Sequence, residues 1–251
     1  MTANLPALPS PDLDRDIAAL ARAAKRANGP LMALVNKLGG SVDQQLALLP
    51  PSLRAEVERV TSAALMAAHG LAGFGGEAGG RGTMMAVMAT GAAGGAGGLV
   101  TSIAELPVTI TVILRAIRAE AVKAGFDPNE PGVRAACLEV FAAGSPLAAD
   151  DGVNTSFLSA RLTLTGPALQ GVIATVAPRL AAALGQKLAA QAVPVLGAVS
   201  GAALNAAFLR YYREVARIRF ALMRLAVQHG GAAVAARFAE ATAAPRLSRN
   251  R

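Results

Sequence analysis

The sequence predicts an all-α fold: a single Ala/Gly-rich helical bundle with closely packed small-residue helices and a basic amphipathic C-terminal helix. Three observations predict it. Apolar residues make up 53% of the 251 residues but aromatics only 4%, with no Trp. Such a chain is weighted to alanine, the strongest helix former, and lacks the bulky residues that favour sheets. Pro, Gly and N-capping Ser or Asp recur at intervals that cut the chain into helix-sized pieces. Residues 203–228 place arginines on one side of a helix and large apolar residues on the other.

The elements follow in order. Pro6, Pro9 and Pro11 keep the first residues extended. Asp12 or Asp14 caps a helix over 13–27, ended by Asn28-Gly29-Pro30. A helix over 30–38 stops at Gly39-Gly40, and Ser41 caps a short one to 49. Pro50-Pro51 breaks the chain, and Ser52 opens a helix over 52–69 with Leu53, Val57, Val60, Ala64 and Met66 towards the core. Residues 70–82 have glycine at more than half of their positions, which predicts a loop. Next come an uncharged run, 82–104, and a helix over 105–125 with Pro107 in its first turn. Asp127 to Pro131 turns the chain into a helix over 131–143, ended by Gly144-Ser145-Pro146. Residues 147–160 are polar and predict a loop, and 162–178 a buried helix. A second uncharged run, 188–209, leads into the basic helix, and the final stretch predicts disorder. The expected organisation is N-terminal helices over 1–69, a helical core over 70–230 and a basic, disordered tail over 231–251.

The two uncharged runs have the length of a bilayer-spanning helix. The first holds Gly91, Gly94, Gly95 and Gly98, and the second Gly197 and Gly201. Glycines four apart let helices approach backbone to backbone. Both runs are marginal for insertion: the first is poor in Leu, Ile, Phe and Val, and the second carries Gln191, Pro194 and Asn205. Peripheral membrane contact is therefore expected over full crossing.

Charge is unevenly placed. The net charge is +8, and residues 205–251 supply most of it, with nine Arg against two Glu. Arg210, Arg213, Arg217 and Arg224 fall on one side of the C-terminal helix, opposite Tyr211, Tyr212, Val215, Ile218, Leu222 and Leu225. A stripe of this kind suits anionic membrane lipid. Nucleic acid is disfavoured, because no aromatic platform or known binding module accompanies the arginines.

Chemistry-bearing motifs are few. Cys137 is the single cysteine, which excludes an internal disulfide and a multi-Cys metal site. It lies between apolar neighbours and is expected to be buried. His69 and His229 lack an HExxH setting, so no metal is expected. GGEAGGRGT at 75–83 departs from a phosphate loop: Arg81 stands where Lys is needed and no strand precedes it. No GxSxG is present, and no cofactor is expected. Glu105, Arg115 and Glu139 sit in strongly apolar helices. Burying a carboxylate unpaired costs several kcal/mol, so these three are expected to form a buried polar cluster. The alternative uses Glu105 and Glu139 as catalytic carboxylates of a lipid- or peptide-directed hydrolase. A carrier of an apolar ligand is a third expectation. The first fifteen residues have no basic or apolar signal region, which suggests a cytoplasmic protein.

Three pieces carry a family resemblance: Glu105-Leu106-Pro107 with Thr109 and Arg115, Cys137 through Phe141, and Gln191 through Pro194 with Gly197. With the Gly-rich stretch before them they resemble the bacterial EcsC family over about 70–230. The resemblance implies a membrane-associated helical protein with no settled activity, and its namesake implies an ABC transporter subunit as a partner. The sequence expectation is thus a non-catalytic accessory protein on the cytoplasmic face of a membrane.

Overall fold

The computed structural model describes residues 11–27, 50–71, 103–143, 166–191 and 197–243. These residues form seven α-helices and no strand. They are α1 (Pro11–Ala27), α2 (Pro51–Leu71), α3 (Leu106–Lys123), α4 (Pro131–Glu139), α5 (Gly166–Gln191), α6 (Gly197–His229) and α7 (Gly231–Thr242), with a 3-10 turn (Val140–Ala143) after α4. The fold is all-α, as the sequence predicts. The helices expected over 30–38 and 41–49, and nearly all of the 82–104 run, lie outside the described residues.

The main core joins α2, α3, α4, α5 and the first two-thirds of α6. The helix α2 faces it with Val57, Thr61, Ala64, Leu65 and Ala68, a helical i, i+4, i+7 pattern. Met66 is a correction to the sequence expectation: it is 49% exposed. Nine residues on from Val57 is 900°, the opposite side of the helix.

Helix α3 buries Leu106, Ile110, Ile113, Leu114 and Ile117. It ends on Gly125, whose φ of +88° suits a residue without Cβ. Gly125 N–H and Phe126 N–H donate to the carbonyls of Val122 and Ala121 at 2.9 and 3.0 Å, which satisfies the last turn. Glu120 meets Arg213, and Phe126 meets Phe220, so residue numbers rise together along α3 and α6 and the two run parallel. Glu139 meets Arg219 while Phe141 meets Tyr212, so α4 and its 3-10 turn run antiparallel to α6.

Two sequence boundaries change. The helix expected over 162–178 does not stop at Pro178 but runs on through it to Gln191 as α5. Proline removes one backbone donor inside a helix. Pro178 and Ala174, the residue whose carbonyl loses its partner, are both exposed, so water can satisfy that group. The described residues of the 188–209 run belong to the end of α5 and the start of α6.

The second correction concerns the tail. Residues 231–242 are not disordered but form α7, set off from α6 by Gly230 at φ +87°. Val234 and Phe238 lie one turn apart and enter a second core with Leu13, Ile17, Leu20 and Ala24 of α1 and Ile218, Leu222 and Leu225 of α6. An ion pair, Arg237 to Asp14 at 3.4 Å, adds to the α1–α7 contact. The expected N-terminal unit is therefore divided: α1 packs with the end of the chain and α2 with the main core.

Candidate functional site

Helix α6 is 33 residues long and has a built-in division of labour. Tyr211, Tyr212, Val215, Ile218, Leu222 and Leu225 are buried, as the helical spacing requires. Among the described residues Tyr212 is the largest fully buried side chain, and its ring meets those of Phe141 and Phe208, with centroids 5.2 and 6.3 Å away. On the other side Arg210, Arg217 and Arg224 recur every seven residues and are exposed, and Arg213 is partly exposed. Seven residues is 700°, so the three stay within about 40° of one another.

The four arginines are not equivalent. Arg217 donates from Nε and Nη2 to both carboxylate oxygens of Glu214 at 2.9 and 2.6 Å. That bidentate bond holds its guanidinium above the ordinary range, against partial burial. Arg213 lies 3.5 Å from Oε1 of Glu120 on the parallel helix α3. The same oxygen accepts a hydrogen bond from Lys123 Nζ at 2.9 Å. Arg210 and Arg224 make no ion pair among the described residues. Glu120 is only 8% exposed, and sequence reasoning missed it. Its signal was spacing: it follows Ile113 and Ile117 on the apolar side of α3.

The three residues expected as a buried polar cluster, Glu105, Arg115 and Glu139, differ in their settings. Glu105 is buried where α3 begins, and Arg115 is exposed on the same helix. Ten residues separate them, about 15 Å of helical rise. Glu139 accepts a hydrogen bond from Nη2 of Arg219, a residue of α6 that sequence reasoning did not single out. Arg219 is 7% exposed, and burial pushes its guanidinium below the ordinary range while Glu139 works the other way. Cys137 is buried beside this pair. Burial pushes its thiol up to about 12, with Arg118 and Arg219 opposing the shift. A thiol so placed stays protonated at neutral pH and is a poor nucleophile. Arg118 donates to Oδ1 of Asn129 at 2.9 Å, tying α3 to the turn before α4.

Gly91, Gly94, Gly95 and Gly98 lie outside the described residues. Gly197 starts α6, and Gly201 follows one turn later. Among the described residues no helix is long and apolar enough to cross a membrane, and no group of three His, Cys, Asp or Glu side chains converges as a metal site would.

No curated protein and no solved structure matches the chain. The sequence profile of the EcsC protein family matches residues 80–225. That span takes in α3, α4, α5 and most of α6, including the Glu139–Arg219 pair and the arginine stripe. With more than half of its length matched, the chain belongs to the EcsC protein family.

Proposed function

We propose that this protein is a non-catalytic accessory factor that lies on the anionic cytoplasmic face of a membrane through the basic side of α6. One observation carries the reading. Arg210, Arg213, Arg217 and Arg224 share one side of a rigid helix whose opposite side is fixed in the core. A helix clamped in this way cannot turn its arginines away from a surface. Each cation near an anionic leaflet adds about 1 kcal/mol of attraction that fades within a Debye length. Lys123 of α3 extends the cationic side at the α3–α6 seam. A transporter subunit at the same membrane is the partner that family membership suggests.

The hydrolase reading loses ground on a specific contact. The carboxylate of Glu139 is engaged by Arg219, and that pair is well placed to fix the register of α4 on α6. An acid held in this way is poorly disposed to exchange protons with a substrate.

The test is co-sedimentation with phosphatidylcholine vesicles containing a quarter phosphatidylglycerol, at low and high salt. Arg210→Glu with Arg224→Glu is the informative variant, since neither arginine has a structural ion pair among the described residues. Binding that is lost in salt and in this variant supports the reading. Binding that survives both overturns it.

A further inference from the structure

Three cations at the α3–α6 seam are already in use. Lys123 and Arg213 share Oε1 of Glu120, at 2.9 and 3.5 Å. Arg217 is held by Glu214 one turn further along, at 2.6 Å. The field of Glu120 also reaches Arg217, so the three cations form one group. Their outer surfaces remain open: the side chains of Lys123, Arg213 and Arg217 are 58%, 31% and 47% exposed. Glu120, at 8%, sits behind them. A lysine ammonium has three donors and an arginine guanidinium five, so each keeps N–H groups to offer outward.

An incoming anion therefore enters an exchange rather than an empty site. Each cation can turn its remaining donors outward, but its attraction to the newcomer is weakened by a resident carboxylate of charge −1. A phosphodiester offers the same single charge, so the exchange gains little. A phosphomonoester carries about −1.5 to −2 at neutral pH and presents three acceptor oxygens. It outbids the resident carboxylates, and a trio of cations on two parallel helices can surround it.

We propose that the Lys123–Arg213–Arg217 seam is a phosphomonoester-binding site, with Glu120 and Glu214 as resident competitors that suppress binding of phosphodiesters. The proposal rests on the membrane-surface reading for its setting. It adds a ligand class, and it assigns the two glutamates a role in selectivity.

The experiment compares vesicles of matched surface charge, one set containing phosphatidic acid and the other phosphatidylglycerol. The wild-type chain binds the phosphatidic acid vesicles several-fold more tightly. Glu214→Gln removes the preference by raising phosphatidylglycerol binding roughly fivefold, the worth of one cation at an anionic surface. Lys123→Ala removes it by lowering phosphatidic acid binding. Arg224→Ala, away from the seam, lowers both equally. In an Arg217→Ala background the effect of Glu214→Gln disappears if the glutamate acts by holding that arginine. Persistence of the full effect there overturns the competitor role. Equal binding of the two vesicle types by the wild-type chain overturns the phosphomonoester site and leaves the surface reading intact. No binding to either overturns both. Titration with glycerol phosphate in the absence of vesicles then separates the sources: saturation at millimolar concentration assigns the site to a soluble phosphomonoester, and silence to a lipid headgroup.

Discussion

Arg219 of α6 and Glu139 of α4 form an ion pair, buried on the arginine side and partly exposed on the glutamate side, that joins two elements 80 residues apart in the chain. Arg219 is 7% exposed, so its charge has little water to fall back on. Removing Glu139 takes a carboxylate away from a poorly hydrated guanidinium. Glu139→Ala is therefore expected to cost about 3–5 kcal/mol in urea unfolding. Replacing both, as Glu139→Leu with Arg219→Met, is expected to recover most of that loss, because two apolar side chains need no pairing. A single-variant cost below about 1 kcal/mol would show that the pair is better hydrated than its burial indicates.

The thiol of Cys137 supplies a pH dependence with a definite sign. Folded, its pKa is raised to about 12 by burial; unfolded, it ionises near ~8.5. The unfolded chain therefore releases this proton first as pH rises. Stability is unaffected below ~8.5 and falls by up to ~1.4 kcal/mol for each pH unit above it, until the folded thiol also ionises. Denaturant unfolding between pH 8 and pH 11 of the wild type and Cys137→Ala checks this: the difference between the two should narrow as pH rises. A thiol reagent should label the native chain only at the rate of its opening.

Helix α7 should be protected although it ends close to the C-terminus. Phe238 is 1% exposed against α1 and α6. Phe238→Ala is expected to cost about 3–5 kcal/mol of the local stability of this second core. Hydrogen exchange should then speed up together in α1 and α7, since they share the core. Fast exchange over 231–242 in the wild type would restore the disordered tail that sequence reasoning expects.

Gly125→Ala tests the end of α3. No atom lies within 4 Å of the Cβ it would add, so crowding is absent and only the φ of +88° matters. The expected loss is about 1–2 kcal/mol, and Gly125→Asn should lose less because Asn tolerates the left-handed region. Equal losses for Ala and Asn would point to something other than backbone conformation.

For the arginine stripe, Arg210→Glu with Arg224→Glu should weaken binding to anionic vesicles by at least about thirtyfold, the loss of two cations worth about 1 kcal/mol each. Thermal stability should hold within about 0.5 kcal/mol, since both side chains are exposed. Arg213→Glu would be a poorer probe, because it places a carboxylate against Glu120.

Much of the architecture was legible where local signals agreed. Helices α1 and α2 begin at Pro11 and Pro51, which places the expected caps Asp12, Asp14 and Ser52 inside their first turns; α3 carries Pro107 in its first turn and closes on Gly125, so there spacing and punctuation coincide. Helix α5 was harder, because Pro178 ordinarily stops a helix and its exposure is a tertiary fact. Helix α7 was hidden for a related reason: its two buried side chains, Val234 and Phe238, find partners more than 200 residues earlier, at Leu13 and Ile17. At the site, the need of Glu139 for a cation could be read from its apolar setting, but Arg219, which donates to it, was not singled out. Arg219 falls in the i+4 and i−3 positions of Val215 and Leu222, inside the apolar side of α6, and so carried the better signal.

The second core also sets an order of events during synthesis. Leu13, Ile17 and Leu20 leave the ribosome early, but the side chains that cover them belong to residues 218–238. At about 5–20 residues per second, α1 must wait on the order of 10–40 s before its partners exist. Throughout that interval its apolar side is open to chaperones and to other nascent chains. Closure of α7 over α1 must thus wait for synthesis of α7, and slowing translation of the codons between the two helices would lengthen the period in which the apolar side of α1 is most exposed to aggregation.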